Sequence, residues 1–154
     1  MDFLFDLLIK LAPGVVVAFL ASRWAVKKFH AEKWWERKEK AYREIIEALY
    51  DSVHYFSVYK EDYGQGTGYS KQVEIELHQK YEKSYWTLKK ATDMGSFYIS
   101  KEAEDILEEL NKKDRLDFDS NPKWDVYEHE FLLHKNTLER LIKVAKKELS
   151  GNKI

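Results

Sequence analysis

The chain has 154 residues, a formal net charge of −1 and no cysteine, with five Trp, ten Tyr and eight Phe. The missing thiol excludes thiol chemistry altogether and agrees with a reducing compartment. Near-neutral charge, with positive residues alternating with Glu, excludes a dedicated nucleic-acid surface, so no nucleic-acid partner is expected.

Phe3 to Val26 is almost uninterrupted apolar sequence, with Arg23, Lys27 and Lys28 at its far end. As a helix at ~1.5 Å per residue, Leu4 to Val26 is roughly 34 Å long, enough for a bilayer core of ~30 Å. A transmembrane helix is predicted here. Asp6 and Lys10 interrupt the run, and a charge at mid-membrane costs on the order of 3 kcal/mol. Four apart, they are helical neighbours and can pair. Pro13 and Gly14 permit a kink. An interfacial helix over 2–11 leading into a span from Leu11 is the alternative. Leu11 to Val26 is short for a span, so a single span that includes part of the first stretch is favoured.

A cleaved signal peptide fits badly. Asp2 precedes any Lys or Arg, and cleavage after Ala21 puts bulky Phe19 where a small residue is wanted. The segment is expected to stay attached. Seven Lys or Arg between Arg23 and Lys40, against Lys10 alone before the span, place the C-terminal domain in the cytoplasm by the positive-inside rule. Arg23, Trp24, Lys27 and Lys28 are the expected headgroup contacts. Gly14, Ala18 and Ser22 follow an i, i+4 spacing that lets two helices approach closely in lipid. Self-association is expected along this row, which Lys10 and Asp6 extend backward; Asp6 and Lys10 then sit near the subunit contacts.

From Trp24 to Asp62 neither Pro nor Gly occurs. Ala31, Trp35, Lys38, Tyr42, Ile45, Leu49, Val53 and Phe56 form a helical stripe, with Lys38 the exception. Trp34-Trp35 fits either headgroup contact or the base of a bundle, and packing is favoured. Gly64 to Gly68 ends the helix. A second helix runs from about Ser70 to Met94, with Val73, Leu77, Tyr81, Tyr85 (or Ser84), Leu88 and Ala91 inward, and Gly95-Ser96 interrupts. Ser100 caps a short third helix, Lys101 to Lys113, with Ala103, Ile106, Leu107 and Leu110 inward. Asn121 with Pro122 reads as cap and first helical position of a fourth. Its inner face carries Trp124, Tyr127, Phe131, His134, Leu138, Leu141, Ala145 and Leu149. The predicted fold is all-α: a transmembrane anchor over 1–28, an antiparallel helical bundle over 29–150, and a tail over 151–154.

Candidates for chemistry are few. His129 and His134 are five apart, not the four that would share a metal on one helical face. Asp51 with His54, Glu74 with His78, Asp125 with His129, and Glu130 with His134 read as solvated helix pairs. His134 lies on the apolar stripe and reads as a core histidine. Asp117 to Glu128 spaces its oxygens like a calcium loop, but Pro122 stands where a Gly is needed. Gly64 to Gly68 lacks the strand and Lys of a phosphate loop. Tyr55, Tyr59 and Tyr63, one turn apart, form either an exposed partner-binding patch or the end packing of the bundle. No metal or other cofactor is expected.

The run Trp34-Trp35-Glu36-Arg37-Lys38-Glu39-Lys40-Ala41-Tyr42 just after a span, together with Asp93-Met94-Gly95-Ser96-Phe97-Tyr98-Ile99-Ser100, resembles uncharacterised bacterial single-span membrane proteins. The resemblance implies the bacterial inner membrane and a cytoplasmic helical domain, and it transfers no catalytic residue. The expected protein is a non-enzymatic membrane-anchored oligomer that binds a protein partner. One version is an inner-membrane effector of a bacterial anti-phage or toxin system. The alternatives are a passive membrane scaffold for a soluble partner and a bundle metalloenzyme built on His134 with neighbouring carboxylates.

Overall fold

A computed structural model describes residues 2–66, 68–94 and 97–150, with side chains from residue 14 onward. Four helices follow in order: α1 (Asp2–Gln65), α2 (Lys71–Met94), α3 (Lys101–Lys112) and α4 (Lys123–Ser150). Among the described residues there is no strand, so the all-α class holds. The chain divides into two compact units, Met1–Arg37 and Lys38–Ile154. Thr67 and Gly95-Ser96 lie outside the described residues.

The second unit is an antiparallel helical bundle. Ion pairs between Lys38 and Glu148 and between Lys60 and Glu128 run α1 and α4 in opposite directions. Arg140 with Glu109 and Lys147 with Glu102 do the same for α3 and α4. The Lys38 exception in the apolar stripe is explained by its partner: its ammonium reaches Glu148 while its stem packs at the edge of the core.

Two apolar clusters hold the bundle. The larger joins Tyr42, Ile45, Ala48 and Leu49 of α1 to Leu88 of α2, the whole inner face of α3, and Leu141, Val144 and Ala145 of α4. Leu49, Leu107 and Leu141 are essentially fully buried, each stabilising by about 1.5–3 kcal/mol. The smaller cluster is Tyr55, Phe56 and Leu77, flanked by Tyr59, Tyr81, Tyr127 and Phe131. It contains no residue of α3. That helix has only 12 residues and stops at the larger cluster, so the bundle has four helices at one end and three at the other.

Local signals set the boundaries. Gly66 takes a left-handed conformation (φ 66°) directly after α1, and its N–H donates to the Asp62 carbonyl at 2.7 Å, the glycine stop expected of a helix C-terminus. Ser70 receives the Val73 N–H at the start of α2. Ser100 caps α3, accepting from the Ala103 N–H, and Ala103, Ile106, Leu107 and Leu110 all point inward as the periodicity requires. The Tyr42 hydroxyl, fully buried, accepts the Ser100 N–H at 3.1 Å and lies 3.1 Å from its Oγ, tying α1 to the cap of α3. Tyr42→Phe strands that N–H and is expected to cost about 1–2 kcal/mol of unfolding free energy in urea titrations. Ser100→Ala is expected to cost about 1 kcal/mol. The double variant loses less than the sum, because the two share one linkage.

Readings on three helices are corrected. On α2 the Ser84 alternative holds, with Tyr85 exposed, while Val73, expected inward, is exposed as well. On α1, Ser52 is fully buried and Val53 only half-buried. On α4 the inner face is rotated: Val126, Glu130, Thr137 and Val144 are buried with His134, Leu141 and Ala145, while Trp124 is 43% exposed. Trp124 instead lies over Gly64, where a Cβ would meet its indole at 3.1 Å. The helix also starts one residue later. Pro122 takes the cap position and Asn121 donates to the Asp117 carbonyl.

Candidate functional site

Within the first unit, every residue from Gly14 to Trp34 is exposed, including Gly14, Ala18 and Ser22. Val15, Val16, Val17, Phe19, Leu20 and Trp24 each leave 56–68% of their surface uncovered. The basic residues that follow lean back on aromatic rings one turn earlier. Arg23 lies over Phe19, Lys28 over Trp24 and Lys33 over Phe29, at 5.5–5.9 Å. Lys27 is exposed beside them. Among the described residues no helix is long and apolar enough to cross a membrane. The side chains of Asp6 and Lys10, the two charges inside the apolar run, lie outside the described residues.

Of the tyrosines at the end of α1, Tyr55 is buried, Tyr59 half-buried and Tyr63 exposed. Tyr55 is 9% exposed and stacks on Tyr81 at 4.3 Å; Tyr59 and Tyr63 stack on Tyr127 at 5.2 and 5.4 Å. Burial raises the hydroxyl pKa of Tyr55, Tyr59 and Tyr81, and pushes Tyr127 up to about 12. The patch reading is corrected for Tyr55, which is core, and Tyr63 alone of the three is well exposed.

Between the two apolar clusters lies a polar layer. Ser52 sits between Leu49 and Tyr55 on α1, Ser84 between Leu77 and Leu88 on α2, and Glu130, His134 and Thr137 between Tyr127 and Leu141 on α4; all five are buried. The three hydroxyls donate to the carbonyl one turn back, at 2.9 Å each. Small side chains at this level, beside the last turn of α3, leave space. A cleft of about 650 Å³ opens there. Its floor is Ser52, Phe56, Val126, Glu130 and His134; its rim is Tyr85, Lys89, Asn111, Asp117 and Phe118.

Arg115, on the loop between α3 and α4, reaches into this cleft. Its guanidinium forms an ion pair with the Glu130 carboxylate and donates to the Leu110 carbonyl at 3.0 Å, at the end of α3. The Glu130 side chain is 9% exposed and that of Arg115 40%. Burial pushes the Glu130 carboxyl above its ordinary value, against the pull of Arg115. Burial lowers His134 to about 4, so the ring is neutral at pH 7. His134 Nδ1 lies 2.9 Å from the Glu130 carbonyl, which can only accept; Nδ1 therefore carries the proton and Nε2 keeps its lone pair.

The core-histidine reading of His134 stands, but Glu130 is not the solvated partner the sequence suggested. His54 and His78 are exposed and His129 is half-buried. Asp117 spends its carboxylate on the Asp119 N–H and the Ser120 hydroxyl, a turn that holds its pKa below the usual range. Among the described residues no group of three or more His, Asp or Glu is placed to hold a metal. Arg115 and Glu130 are the pair that sequence reasoning missed. A carboxylate four residues before a core histidine, with an Arg just past the end of the short helix, was the available signal.

The chain matches no protein-family model, no curated protein and no solved structure.

Proposed function

We propose that this protein is a membrane-attached helical protein that acts by association rather than catalysis, with residues 1–28 in the bilayer and the bundle on the cytoplasmic side of a bacterial inner membrane. One observation carries the reading: an apolar segment whose described side chains, from Gly14 on, are exposed, followed directly by a basic, aromatic collar. Contiguous exposed apolar surface of this extent marks a lipid or protein interface, and the Lys and Arg excess after it sets the side. Pairing of Asp6 with Lys10 would lower the cost of carrying both into the headgroup region or a subunit contact. Self-association along Gly14, Ala18 and Ser22 makes it an oligomer, and the bundle binds the protein partner that engages it. An inner-membrane effector of an anti-phage or toxin system is the most specific form of this reading.

The absence of native cysteine makes the test direct. Single Ala18→Cys and Leu20→Cys variants, ~200° apart around a helix, are oxidised in intact membranes. Crosslinked dimers at position 18 and not at 20 are expected, and alkaline extraction should leave the protein in the membrane pellet. A Cβ at Gly14 meets nothing within 4 Å, so Gly14→Ile should leave the fold intact and abolish the crosslink. Release by alkali overturns membrane attachment. Equal or absent crosslinking reduces the segment to an anchor and turns the proposal toward the passive scaffold.

A further inference from the structure

The α3–α4 loop carries a cation onto a carboxylate that the core otherwise buries, and beside the pair the bundle leaves a cleft. We propose that this cleft is a binding site for a small organic cation, an amine or amidine with an apolar body, which takes the place of the Arg115 guanidinium on Glu130.

The floor defines the ligand's polarity. Glu130 keeps acceptor capacity beyond the oxygen held by Arg115. His134 has given its Nδ1 proton to a carbonyl and offers only the Nε2 lone pair. Ser52 has given its hydroxyl proton to Ala48 and offers only lone pairs. Three buried groups that accept and do not donate suit a ligand rich in N–H. An anion would bring a second negative charge beside a buried carboxylate.

The walls point the same way. Phe56, Tyr81, Tyr85 and Phe118 line the cleft, and aromatic faces attract organic cations. Lys89 and Asp117 at the rim offset each other in sign. The volume, about 650 Å³, falls within the range of small-molecule sites.

Arg115 is the occupant already present. It comes from a loop, and its side chain is 40% exposed, so returning it to water costs little, whereas Glu130 is fixed on α4 at 9% exposure. A ligand cation that restores the charge opposite Glu130 completes the exchange. No bond is made or broken in this step.

The test titrates purified full-length protein in nanodiscs with benzamidine, its neutral isostere benzamide, and benzoate, by calorimetry. Saturable one-to-one binding of benzamidine is expected, about tenfold or more tighter than either control. Arg115→Ala removes the internal competitor and should tighten benzamidine binding about tenfold; Glu130→Gln should weaken it by about the same factor. The Arg115 Nε–H resonance of the wild-type protein should move toward that of free arginine as benzamidine is added, a readout that does not depend on any variant folding. Equal binding of benzamide and benzamidine overturns the proposal. So do weaker binding by Arg115→Ala, an unmoved Arg115 resonance, and absence of saturation in the wild type.

Discussion

Arg115→Ala is expected to lower the unfolding free energy by about 2–3 kcal/mol, and Glu130→Met in the same chain to recover most of that loss. Breaking a buried ion pair from one side leaves an uncompensated charge and costs about 3–5 kcal/mol, while replacing both partners with apolar groups is close to neutral. The lower figure applies because Arg115 is 40% exposed and water can reach the vacated position. The Leu110 carbonyl loses its donor too, but it lies at the C-terminus of α3, where water substitutes. Urea titrations of the wild type, both single variants and the double variant give the coupling energy directly. Additive losses would mean that Glu130 and Arg115 do not act on each other in solution. A loss of this size leaves a typical domain folded, which makes Arg115→Ala usable for ligand titrations.

The parts of the fold legible in the sequence are those where large apolar residues and caps coincide. Ser100 followed by Ala103, Ile106, Leu107 and Leu110 defines α3 completely, because a cap and an amphipathic stripe agree. The end of α1 at a run of glycines was legible for the same reason: Gly66 and Gly68 adopt left-handed conformations that other residues resist. The face of α4 was not. Apolar periodicity selects Trp124, Phe131 and Leu138, yet the helix turns Glu130 and Thr137 inward, and the cleft that Glu130 lines is floored by Ser52 as well as by Phe56 and Val126. A buried layer of small and polar residues carries no hydrophobic signal. It becomes visible only when three helices are aligned and their stripes are seen to break at one height.

The candidate site was hidden by the same fact. His134 stood out because it lies on an apolar stripe, and its role as a core histidine follows from that position. Glu130 looked like one more member of a 34% charged sequence. What singles it out is tertiary: α3 ends after 12 residues, and the loop that follows has to cross the open side of the three-helix end, where Arg115 meets it. The apolar N-terminal segment shows the converse. Its apolar run and basic collar are plain in the sequence, and the structure adds that its residues from Gly14 to Trp34 are exposed.

Acidification should weaken the bundle in a window set by His134. Its pKa falls from an ordinary 6.5 to about 4 on folding, because burial against Phe56 and then the Arg115 charge disfavour the charged ring, against the pull of the Glu130 carbonyl. Between those values the unfolded chain binds a proton that the folded chain refuses, so stability falls as pH drops from about 6.5 toward 4, by about 3 kcal/mol at most. Glu130 acts with the opposite sign. Its folded pKa is raised, so its destabilising burial as a charge is present at neutral pH and relieved as acid protonates it in the folded state first. The surface carboxylates of Glu108, Glu109 and Asp117 have lowered pKa values, so their favourable pairing begins to be lost as pH falls into the ordinary carboxylate range and adds to the decline only at the acid end of the His134 window. Urea midpoints followed by far-UV circular dichroism should therefore decline between pH 6.5 and 4.5 in the wild type, by an amount equivalent to about 2 kcal/mol. His134→Gln, which can still donate to the Glu130 carbonyl, should flatten the decline. Glu130→Gln should steepen it, because the compensating protonation is gone and the Arg115 charge is left unopposed beside the ring. An unchanged slope in His134→Gln would place the acid sensitivity elsewhere in the bundle and return His134 to a purely packing role.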